Sequence, residues 1–70
     1  MQSLSQASPG ETYTIKWMFG VPEVLDFLHR HHVEEGSTIQ VVQQFRDCVI
    51  IGVEDTRFAL GAEVAERIKV

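Results

Sequence analysis

Gly36–Leu60, GSTIQVVQQFRDCVIIGVEDTRFAL, is the stretch whose reading decides the fold. Ile39, Val41 and Phe45 fall on one side of an extended segment, and Thr38, Gln40 and Gln44 fall on the other. Alternation of this kind marks a strand with one face buried. Arg46-Asp47 interrupts it as a tight turn. Cys48-Val49-Ile50-Ile51 follows as a continuous apolar, β-branched run, too short for a helix, which predicts a strand covered on both faces. Glu54-Asp55-Thr56 supplies the next turn, and Arg57–Leu60 alternates again. A meander of this kind leaves open edges that the rest of the chain must close.

Upstream, Pro9-Gly10-Glu11 reads as a turn and Thr12–Phe19 as the first strand. Tyr13, Ile15, Trp17 and Phe19 share one side of that strand, which places Trp17 in the core. Met18 points the other way, either under the helix or out towards a partner. Gly20-Val21-Pro22 opens a helix over about residues 22–31: Pro suits its first turn, and Val24, Leu25, Phe27 and Leu28 repeat at helical spacing. No Gly or Asn stands at its end. His32 is the residue left to adopt the left-handed backbone that commonly stops a helix. Downstream, Gly61–Ala65 reads as one helical turn and Arg67–Val70 as the last strand. Leu4 is expected to tuck onto the core, with the rest of residues 1–8 partly flexible. The sum is a mainly β, five-stranded, partly open barrel with one short helix between the first and second strands, forming a single domain over residues 1–70.

The net charge is -4, and the six Lys and Arg residues are scattered along the chain. A nucleic-acid binder normally shows a clustered basic footprint, so none is expected as a partner. No apolar run is long enough to span a bilayer, which predicts no direct membrane insertion, and the first residues lack a signal-peptide pattern. A cytoplasmic protein is the expectation. Cys48 is the single cysteine, so no internal disulfide forms, and its place among Val and Ile predicts a buried, inert thiol.

Order and spacing along the whole chain resemble the FeoA family, ferrous iron transport protein A. The matching residues are Leu4, Pro9-Gly10-Glu11, Gly36, Ile39, Val41-Val42, Ala59-Leu60, Val64-Ala65 and Arg67-Ile68-Lys69-Val70. The resemblance implies an SH3-like barrel. It also implies a small cytoplasmic protein that assists the membrane ferrous iron transporter by docking on its cytosolic GTP-binding part, and that is peripheral at the inner face of the membrane through that partner. This sequence departs from the family at His31-His32, where members usually end the helix with Leu-Gly. It departs again at Arg46-Asp47, where many carry a longer, proline-containing loop. Both departures lie on the expected rim, so Arg46 and Asp47 are candidate partner-binding residues, and Met18, if it stays exposed beside the helix, is a third. The closing stretch also resembles the C-terminal SH3-like domain of metal-dependent transcriptional repressors, and a metal-responsive domain is the alternative. A chain that starts at Met1 without a helix-turn-helix favours the free-standing protein.

His29 and His32 are the candidate metal ligands, for ferrous iron or zinc, with Glu34 or Glu35 adding an oxygen. The competing reading, a solvated helix end where cationic groups meet the dipole, has more weight because a metal centre needs three or four ligands. No cofactor is required. The sequence offers no nucleophile with a base, no paired buried carboxylates and no phosphate loop, so no enzyme is expected.

Overall fold

Thr12–Phe19 forms not one strand but two. The computed structural model describes every residue from Met1 to Val70 and shows β1 over Thr12–Thr14 and β2 over Trp17–Met18. Between them the backbone turns a corner. The Ile15 amide donates to the Ser37 carbonyl, whereas the next amide, that of Lys16, donates to the Lys69 carbonyl. The remaining elements are helix α1 (Pro22–Arg30), β3 (Thr38–Gln44), β4 (Cys48–Val53), β5 (Thr56–Gly61), the short helix α2 (Ala62–Glu66) and β6 (Ile68–Lys69). β1, β3, β4 and β5 form an antiparallel sheet in that order, and β2 pairs with β6 in a two-stranded ribbon. The expected SH3-like barrel is thus built from a four-stranded sheet and a two-stranded ribbon, with the expected first strand divided between them.

The corner reverses the facing of the residues beyond it. Ile15 is buried, but Trp17 is 43% and Phe19 44% exposed, while Met18 lies in the core. Trp17 is therefore not a core residue, and Met18 is not open to a partner. A second reversal occurs in β3. Register shifts between Val41 and Gln43, so one residue bulges out of the ladder and the alternation changes phase. Ile39 and Val41 face the core as expected, whereas Phe45 is 49% exposed. Gln44 turns inward in its place, and its amide Nε2 donates to the carbonyls of Leu4 at 2.9 Å and Ala7 at 2.7 Å. That side chain fastens a 3-10 turn at Leu4–Gln6 over one end of the barrel, where Leu4 is fully buried and the turn packs on α2. The Gln2 amide donates to the Val70 carbonyl and the Val70 amide returns a bond to Gln2, so the first residues are held by the last.

β4 buries Val49, Ile51 and Val53 on one face, and Cys48, Ile50 and Gly52 are half-covered on the other. Only one face of this strand belongs to the core, and Cys48 is half-buried rather than enclosed. The core comprises fifteen apolar residues drawn from every element except β1, whose Tyr13 packs against it half-buried.

α1 ends at Arg30, one residue short of expectation, in a Schellman motif. His32 has φ 66°; its amide donates to the His29 carbonyl, and the Val33 amide reaches back to the Leu28 carbonyl at 2.9 Å. Leu28 and Val33, the pair that accompanies such a cap, are both buried. Phe27 departs from expectation: it is 44% exposed. At about 100° per residue, Val24, Leu28 and Leu25 share a narrow arc, and Phe27 lies roughly 110° from its centre. A helix at the margin of a barrel buries only that arc.

Two stability outcomes follow from this geometry. Leu28→Ala is expected to cost about 2–5 kcal/mol, and Phe27→Ala about 1 kcal/mol or less, in urea unfolding; equal losses would show that the helix sits differently. His32→Gly is expected to be neutral or to stabilise by up to about 1 kcal/mol. His32→Val should destabilise by about 1–2 kcal/mol, since a β-branched residue tolerates positive φ worst; thermal melts of both variants measure the difference.

Candidate functional site

The left-handed turn at His32 determines what the histidines can do. It takes His32 out of helical phase, so its ring does not stack above His29. His29 Nε2 lies 3.8 Å from Glu35 Oε1, and His32 Nε2 lies 3.4 Å from Glu54 Oε2. Each imidazole meets its own carboxylate, and both pairs are well exposed. No three His, Cys, Asp or Glu side chains converge on one point. Glu54 lies in the two-residue turn between β4 and β5 and has φ 54°. The two non-glycine residues with left-handed backbone are thus in contact across the rim.

The third histidine joins a different group. His31 lies 4.5 Å from the Phe27 ring and 5.6 Å from that of Phe58, centroid to centroid. Phe27 and Phe58 meet edge to face at 6.4 Å. This cluster ties α1 to β5, the edge strand of the larger sheet, and leaves the Phe27 ring partly in solvent.

Arg46 and Asp47 are both exposed in the turn between β3 and β4. The Phe45 amide donates to the Cys48 carbonyl at 2.8 Å and closes the turn, and the Asp47 carbonyl accepts from the Ala62 amide at the start of α2. Asp47 therefore acts structurally through its backbone, while its side chain and that of Arg46 stay free beside the exposed Phe45 ring. Across the outer face of the four-stranded sheet, Thr12, Gln40, Gly52 and Arg57 stand side by side on consecutive strands. They line an open depression of about 430 Å³ with Thr38, Glu54 and Asp55. Its lining carries charges of both signs. Exposed ion pairs and aromatic rims suit contact with another surface. The rings of Trp17, Phe19, Phe27 and Phe45 are exposed and that of Phe58 half-exposed, whereas periodicity alone assigns the first four to the interior and reads Phe58 only as an alternating strand residue.

The FeoA domain model matches residues 2–70. The chain belongs to the FeoA family. A crystal structure described as an iron uptake regulatory protein (FeoA) is 30% identical to this FeoA domain, over 94% of this chain and 89% of that one, with a TM-score of 0.84. The solution structure of a FeoA protein from Chlorobium tepidum superposes with a TM-score of 0.88 at 17% identity, covering 97% of this chain and 67% of that one. A manganese-dependent transcriptional repressor shares the fold with a TM-score of 0.84 at 18% identity; 96% of this chain corresponds to 39% of the repressor. Among curated proteins no relative matches. The fold of this FeoA domain is therefore SH3-like, shared with the two FeoA structures and with part of a larger repressor.

Separate His–Glu pairs make a specific expectation. Stoichiometric Zn²⁺ or Fe²⁺ should leave the melting temperature of this FeoA domain unchanged, and His29→Ala/His32→Ala should behave like the parent. A metal-dependent rise abolished by the double substitution would instead assign a metal centre to this rim.

Proposed function

We propose that this FeoA domain is a non-catalytic accessory protein of bacterial ferrous iron uptake. It acts from the cytoplasm by docking on the cytosolic GTP-binding part of the membrane ferrous iron transporter and modulating it. The observation that carries this reading is the family match over nearly the whole chain, joined to a 30%-identical structure described as an iron uptake regulatory protein. The surface favours contact over chemistry. Phe27, His31 and Phe58 form a half-exposed aromatic cluster, the residue type enriched where proteins meet. The His32–Glu54 contact lies on the same side of the molecule, at the end of the same helix. These residues are the proposed partner-facing surface, with Arg46 and Asp47 as a second, smaller patch.

A second reading, a metal-responsive domain, draws on the repressor likeness and on the two His–Glu pairs. It requires His29 and His32 to rearrange onto one ion, because they are now held by different carboxylates.

Isothermal titration of the full chain against the transporter's GTP-binding part, with and without nucleotide, tests the first reading. Binding is expected, and Phe27→Ala should weaken it about tenfold or more while the fold persists, as loss of an interface aromatic typically does. Absence of binding to that part and to the whole transporter would reject it.

A further inference from the structure

The β2–β6 ribbon has one face in the core and one in solvent. Met18 and Ile68 pair across it and are buried. Trp17 pairs with Lys69, and the Phe19 amide donates to the Arg67 carbonyl, so the outward face sets two aromatic rings against two cations. The rings of Trp17 and Phe19 lie 4.9 Å apart, and Lys69 Nζ stands 6.0 Å from the Phe19 centroid. Arg67 lays its stem beside Gly20, whose φ of 149° is one that L residues rarely adopt. Lys16 and Val21, both exposed, stand before and after the rings in sequence.

The distribution of charge makes this face unusual. The chain carries ten carboxylate residues against six Lys and Arg, yet three of those six, Lys16, Arg67 and Lys69, belong to the ribbon or adjoin it. No Asp or Glu occurs in 16–19 or in 67–70. The face is also not a groove. The two depressions on the molecule are lined by Thr12, Arg57 and their neighbours and by Asp26, His29 and Arg30, and neither includes a ribbon aromatic. A peptide needs a cleft or a free strand edge to hold it; a planar surface needs neither. Trp and Phe beside Lys and Arg are the side chains that settle at the level of lipid headgroups, rings inward and cations on phosphate.

We propose that the outward face of the β2–β6 ribbon docks on an anionic lipid surface. Trp17 and Phe19 enter the headgroup layer, while Lys16, Arg67 and Lys69 meet the phosphates. The contact is shallow, since no helix is long and apolar enough to cross a membrane. This inference is independent of the transporter reading, because the test contains lipid and no other protein.

Trp17 is the single tryptophan, so its fluorescence reports on this face alone. The full chain is mixed at low salt with vesicles of phosphatidylglycerol and phosphatidylcholine, and separately with phosphatidylcholine alone. The expected result is a blue shift and co-sedimentation with the anionic vesicles only, quenching by brominated acyl chains, and reversal by salt. Arg67→Gln and Lys69→Gln should each weaken partitioning about fivefold, with unchanged circular dichroism. Phe19→Ala should reduce the blue shift. Unchanged emission with no co-sedimentation overturns the proposal, as does equal binding to both vesicle types. A Trp17 shift with a soluble Glu/Leu-rich peptide but not with vesicles also overturns it, and assigns the face to an acidic protein segment.

Discussion

Two consecutive amides hold this fold together. Ile15 gives its N–H to Ser37 and Lys16 gives its N–H to Lys69, so one continuous segment supplies a strand to each of two sheets. A seventy-residue chain has little interior to spend on a closing element, and a segment that serves both sheets removes the need for one. The corner brings β6 next to β2 and lets Ile15, Met18 and Ile68 enter the same core as Ile39 and Ile51. Buried backbone groups must find partners, so the angle of the corner is fixed by where those two amides can bond. Everything beyond it inherits the facing that results, including the exposure of Trp17 and Phe19.

Local backbone devices do the rest. The bulge after Val41 turns Gln44 inward, where it adds a second donor to the Leu4 carbonyl and supplies a donor to the Ala7 carbonyl of the N-terminal turn. Loss of a donor to buried carbonyls is costly, so this polar residue has more structural weight than the exposed Phe45 beside it. The Schellman cap at His32 does the same for the end of α1 and aims Val33 at Leu28. Here His takes the left-handed conformation at some cost in strain and gains a contact with Glu54.

Alternation and turn chemistry made most of the elements legible in advance. The meander, the helix, its left-handed end at His32, the helical turn before the last strand and the burial of Leu4 all rest on local rules, and local rules act within a few residues. What periodicity could not supply was phase. Strict alternation from Tyr13 to Phe19, and from Ile39 to Phe45, carries each ring to the interior, but a corner and a bulge each shift the count. Val42, apolar and directly after Val41, was the one signal of the bulge. The corner left no such mark, because it is set by hydrogen bonds to residues far along the chain. The candidate site was less legible than the fold for the same reason. His29 and His32 share a helical face only if both are helical, and the feature that ends the helix separates them.

Gln2 and Val70 exchange both of their backbone hydrogen bonds, and Ser3 bridges to Lys69. Entry to and exit from the barrel therefore lie at one spot, on the side of β6 away from β2. Such an arrangement makes the domain a plug-in unit. It can be appended to a longer chain or spliced into a loop without spreading the host, because the two points of attachment sit a hydrogen bond apart. The cost of that economy is that β6 has no other neighbour on that flank. A tether that pulls on either end loads the ribbon first and reaches the four-stranded sheet by three routes: the corner at Ile15, the short helix α2 that joins β5 to β6, and the bonds of Gln44 to the N-terminal turn.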